Sequence, residues 1–140
     1  MKKLLISLCI LILSSILISS VAAETVLVTG LNNCEKEPYE DIGGSTPRSG
    51  YTFLVMGLKI DYNGGDKLSV DPNYFSLNID NVDYPSSGAT YYLDRIGLTA
   101  LPTVTLSRGG SIEGYIAYEI PKDKMDSESA IVYSGWQDVR

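Results

Sequence analysis

Apolar residues in this chain recur mostly at every second position, the period of a half-buried β-strand. Tyr51–Tyr62 shows it best, with Leu54, Met56, Leu58, Ile60 and Tyr62 on one face, Thr52 continuing it, and Lys59 and Asp61 on the other. Val104 and Leu106 alternate with Thr103 and Thr105. Ile112, Gly114, Ile116, Tyr118 and Ile120 alternate with Ser111, Glu113, Tyr115, Ala117 and Glu119. Shorter strands are predicted over Thr25–Thr29, Leu68–Val70, Phe75–Ile79, Val82–Tyr84, Ala89–Leu93 and Ala130–Tyr133. Asn63-Gly64-Gly65-Asp66, Asp80-Asn81, Pro85-Ser86-Ser87-Gly88 and Arg108-Gly109-Gly110 supply the turn chemistry between them. Residues 32–50 are polar and rich in Gly and Pro, and read as a long loop or mobile arm.

The first segment breaks this pattern. Lys2 and Lys3 precede an uncharged apolar run from Leu4 to Ile18, and Val21-Ala22-Ala23 places small residues before Glu24. Positive start, apolar middle and small-residue junction are the marks of an export signal, with cleavage expected between Ala23 and Glu24. The rival is an uncleaved anchor over residues 4–22, since the run approaches the roughly 20 residues that cross a bilayer. The chain thus divides into a signal helix, 1–23, and one domain, 24–140. Seven to eight short strands with polar turns and no helical periodicity make that domain an all-β antiparallel sandwich. The connections are too short for the crossover helices of a parallel sheet.

Composition narrows function by exclusion. Without the signal, nine basic residues stand against 17 acidic ones, a net charge of −8. That balance disfavours nucleic acid and anionic lipid. A membrane partner is expected only if the N-terminal segment stays in place. The sequence has no histidine, which removes the usual general base and the commonest transition-metal ligand. Cys34, beside Glu35 and Glu37, lacks the electropositive setting of a reactive thiol and is read as an incidental loop cysteine. Asp61, Asn63, Asp66 and Asp71 offer oxygens near one turn, but without the closing glutamate of a calcium loop they read as solvated turn formers. Glu113 and Glu119 share a strand face about 20 Å apart, too far to flank one bond. No catalytic residue, metal site or cofactor is therefore expected, and the domain reads as non-catalytic. Tyr91, Tyr92 and Trp136 form the candidate ligand surface, although plain packing is the commoner use of tyrosine in a strand. The expected partner is an extracellular protein or cell-surface ligand, with a structural role in the envelope as the alternative.

The run Gly50-Tyr51-Thr52-Phe53-Leu54-Val55, then Leu58 to Asp66, Leu68 to Pro72 and Tyr74 to Leu77, resembles the immunoprotective-extracellular, immunoglobulin-like family. The stretch Leu106 to Ile116 with Glu119-Ile120-Pro121 is similar to that family's ending. The resemblance covers residues 25–136 and implies an immunoglobulin-like sandwich of unknown function in exported proteins. The chain departs from it at Arg108-Gly109, where Pro-Gly is expected, and in the long region Leu98–Pro102.

Overall fold

The alternating segments form strands where their apolar faces meet. In chain order these are β1 (Val26–Gly30), β2 (Glu37–Tyr39), β3 (Tyr51–Tyr62), β4 (Leu68–Val70), β5 (Phe75–Ile79), β6 (Val82–Tyr84), β7 (Val104–Leu106), β8 (Ser111–Pro121) and β9 (Ser129–Tyr133). The computed structural model describes residues 26–31 and 37–133; the signal segment with Ala23 and Glu24, Cys34 and Trp136 lie outside them.

β3 is the centre of the main sheet. β8 pairs antiparallel along almost its whole length, from Tyr51↔Pro121 to Asp61↔Ser111. On the other side β1 and β2 lie end to end, with β1 opposite residues 58–62 and β2 opposite residues 53–55. The face predicted from the alternation is buried: Leu54, Met56, Leu58, Ile60 and Tyr62 join Val26, Val28, Ile116, Tyr118 and Ile120. Two smaller antiparallel sheets, β4–β7 and β6–β5–β9, cover that face. They contribute Leu68, Val70, Leu106, Phe75, Leu77, Ile79 and Ile131 to the same core. The result is an antiparallel β-sandwich, the arrangement that buries one face of each sheet. The β5–β6 hairpin closes through Asp80 and Asn81, both with positive φ (52° and 66°), as a two-residue turn between twisted strands requires.

A buried tyrosine ties the layers together. The Tyr118 hydroxyl on β8 donates to the Phe75 carbonyl on β5 at 2.9 Å. Burial pushes this phenol far above the ordinary tyrosine pKa, so it remains a donor at any physiological pH. Tyr118→Phe keeps the packing and orphans the carbonyl, and should cost about 1–2 kcal/mol. Urea unfolding checks this: the midpoint falls while the slope stays constant. An unchanged midpoint would mean that the Phe75 carbonyl is not desolvated.

The structure departs from the sequence reading in two places. Residues 32–50 are not a mobile arm along their length. From Glu37 the chain forms β2, and Ile42 is fully buried, its N–H and C=O paired with Ser45 around Gly43 and Gly44. The second departure is Ala89–Leu93, which is not a strand. It lies in a 3₁₀ helix, Gly88–Ile96, capped by the Ser87 hydroxyl and ended by Gly97 at φ +84°. Ala89, Thr90 and Leu93 face inward at helical spacing. They meet Ile42, Phe53, Val55 and Ala117 on the outer face of the main sheet, forming a second, smaller core.

Candidate functional site

The outer face of β3 carries Phe53 and Val55, then Gly57 and Lys59. Pairing sets its neighbours: Glu37 and Tyr39 on β2 lie beside Val55 and Phe53, while Ala117 and Tyr115 on β8 lie beside Val55 and Gly57. Gly57 leaves room that Tyr115 uses. A Cβ there would stand 2.7 Å from the Tyr115 Cε1 and 2.9 Å from the Leu31 Cβ, so the aromatic ring lies over the glycine. Leu98, just past the 3₁₀ helix, adds another wall. Leu31, Glu37, Tyr39, Val55, Gly57, Leu98 and Tyr115 thus line an open cavity of about 110 Å³.

Its chemistry is one carboxylate and two phenols above an apolar floor. The Tyr39 hydroxyl donates to Glu37 Oε2 at 2.8 Å. Burial, followed by that hydrogen bond and the Glu37 charge, raises the Tyr39 pKa, and the neighbouring Tyr115 phenol adds to the effect. The Tyr39 phenol therefore stays neutral at physiological pH beside the Glu37 carboxylate. Such a site can accept hydrogen bonds and offer ring faces. The sequence reading missed it, placing Glu37 and Tyr39 in a loop and Tyr115 on the strand face that carries Glu113 and Glu119. A three-residue strand is too short to show a period, and the apposition of Glu37 with Tyr115 depends on a sheet register that local sequence does not carry.

Tyr91 and Tyr92 were expected to lie on a strand, with packing as their ordinary use. The helix turns both outward instead, 60% and 41% exposed. The Arg95 guanidinium sits 4.7 Å from the centre of the Tyr92 ring and donates to the Gly43 carbonyl at 2.7 Å, which holds the helix against the loop after β2. Ala89 and Leu93 on the buried side of that helix belong to the same small core that Tyr39, Leu98 and Tyr115 edge. The tyrosine pair and the cavity thus share one face of the molecule.

Three other acidic residues singled out in the sequence have cross-strand, side-chain or capping neighbours. Asp71 accepts from the Asn73 N–H and the Thr103 hydroxyl, capping the short helix at Pro72–Tyr74. Glu119 holds the Arg48 side chain and backbone N–H through one oxygen, and Glu113 faces Lys59 across the sheet. Among the described residues, no three of His, Cys, Asp and Glu gather into a metal-binding group. Among the same residues, no helix is long and apolar enough to cross a membrane.

The profile of a domain of unknown function, DUF4352, matches residues 21–137. The chain belongs to the DUF4352 family. Among curated proteins, none matches this DUF4352 chain in sequence. Its fold is similar to the crystal structure of ycdA from Bacillus subtilis subsp. subtilis strain 168, a protein provisionally designated a lipoprotein. The superposition has a TM-score of 0.53 at 14% identity and covers 83% of the DUF4352 chain but 38% of the Bacillus chain. The chain therefore spans well under half the length of that protein, and at this identity the likeness speaks to fold alone.

Proposed function

We propose that this DUF4352 chain is an exported, non-catalytic binding module that uses the outer face of its main sheet. The observation that carries the reading is the outward display of Tyr91 and Tyr92 on a pinned helix, with the aromatic-lined cavity on the same face. Aromatic side chains on a rigid support anchor interfaces at low entropic cost. Export is read from the signal pattern of residues 1–23. The lipoprotein designation of the Bacillus neighbour agrees with a place at the cell envelope. The sandwich is read as immunoglobulin-like, akin to the immunoprotective-extracellular family. The histidine-free composition and the single carboxylate in the cavity support a role without catalysis.

A photo-crosslinking residue placed at Tyr91 or Tyr92 tests this on intact cells of the native host. A discrete adduct is expected from these positions and none from Val82 or Val132, which are exposed on the opposite sheet. Equal labelling at all four sites would overturn the tyrosine surface. Product confined to the cytosol would overturn export.

A further inference from the structure

We infer that the cavity between β2 and β8 receives an organic ammonium group, the head of a short alkylamine. The inference rests on the reading of the chain as a binding module and names the chemistry that one of its sites selects.

The lining argues for a cation by what it contains. Glu37 brings a carboxylate, and among the described residues no lysine or arginine lines the cavity. Tyr39 takes Oε2 of that carboxylate, and among the described residues no donor takes Oε1. Oε1 can therefore accept from an N–H of a ligand. The Tyr39 and Tyr115 rings add faces that attract a cation. Val55, Leu31 and Leu98 supply an apolar surface for the carbon chain. An anion would meet the Glu37 carboxylate with no basic side chain among the described lining residues to offset it. A hard metal ion prefers six or more oxygens, and one carboxylate and two phenols provide only four.

Size narrows the class. A cavity of about 110 Å³ equals three to four water molecules at about 30 Å³ each. It takes an ammonium head with a short alkyl chain and is too small for a drug-sized ligand. The mature chain's net charge of −8 raises the local concentration of any cation. The same head group occurs on free alkylamines and at the end of a lysine side chain.

The test is a ¹H–¹⁵N titration of the protein, purified in the form its host produces, following the amides of Gly57, Leu98 and Tyr115. The probes are n-butylammonium, butyrate, 1-butanol and Nα-acetyl-lysine amide. Saturable shifts are expected with n-butylammonium, with a dissociation constant on the order of a millimolar, and none with butyrate or butanol. Matching shifts with the lysine derivative assign the site to lysine-bearing chains, and their absence assigns it to free amines. Glu37 is exposed, so Glu37→Gln should keep the melting temperature while weakening n-butylammonium by about tenfold. No saturable shift, equal response to butyrate or butanol, or an unweakened Glu37→Gln variant would each overturn the inference. A crosslink at Tyr91 with no ammonium response would remove this site and leave the binding-module reading standing.

Discussion

Gly114→Ala is expected to lower the melting temperature by roughly 15 °C, a loss of about 3 kcal/mol in a domain of this size. Gly114 lies on β8 opposite Leu58, where the chain passing through Ala100 and Leu101 crosses. A Cβ at Gly114 would stand 2.4 Å from the Leu101 Cα and 2.6 Å from its nitrogen. These are backbone atoms, so no rotamer change relieves the clash. They are also held in place: the Leu101 N–H donates to the Tyr115 carbonyl, and the Tyr115 N–H to the Thr99 carbonyl, both at 2.9 Å. Moving the segment breaks both bonds and withdraws the buried Leu101 side chain from the main core. Gly88→Ala is the control, because a Cβ there meets nothing within 4 Å. It should leave the melting temperature unchanged or raise it slightly, by less unfolded-chain entropy. Equal effects at the two glycines, measured by thermal unfolding, would refute the close crossing.

Thr90→Val should destabilise the domain by about 2 kcal/mol, although valine is the more apolar residue and the site is fully buried. Thr90 completes the outer edge of β8. Its hydroxyl accepts from the Ala117 N–H at 3.0 Å and donates to the Ala117 carbonyl at 3.3 Å. The carbonyl also accepts from the Ser87 N–H at 2.7 Å, so it keeps a partner in the variant. The Ala117 N–H does not, and an orphaned buried donor carries its full desolvation cost. Thr90→Ser retains both hydrogen bonds and loses one methyl, worth about 0.8 kcal/mol. The order of stability is therefore expected to be Thr, Ser, Val, with valine last where burial alone would place it first. Denaturant unfolding ranks the three, and hydrogen exchange at the Ala117 amide should quicken in Thr90→Val. A valine variant as stable as wild type would show that the edge does not depend on this side chain.

Both substitutions act where the chain covers an open sheet edge. Residues 86–101 run beside β8 with an antiparallel bridge at Ser86↔Tyr118 and a parallel one at Ala100↔Tyr115. An uncovered strand of this length is a template for pairing with other chains. The region Leu98–Pro102, a loop in the sequence reading, is thus part of the fold's hydrogen bonding. The same path carries Tyr91 and Tyr92 to the surface. Cover for the edge and display of the tyrosines come from one segment.

Much of the framework was legible locally. Tyr51–Tyr62 and Ser111–Pro121 are strands because their alternation admits no helical stripe, and the buried face of each is the one the alternation marks. Asp80 and Asn81 make the expected tight turn because short polar side chains tolerate positive φ. Ala89–Leu93 misled because threonine and tyrosine favour strands in general. The signals against a strand were there: a capping Ser87, a terminating Gly97, and apolar residues at helical spacing.

By itself the sequence determined the all-β class, the two long strands Tyr51–Tyr62 and Ser111–Pro121 with their inner faces, and the acidic, histidine-free composition, because each of these is set within a few neighbouring residues. Only the tertiary structure decided that the outer face of β3 is also covered, that Thr90 and the chain near Leu101 close the edge of β8, and that Glu37 meets Tyr39 and Tyr115 around a cavity. Those pairings join residues far apart in the chain through sheet register, and a register is chosen by the packing of whole faces rather than by any one segment.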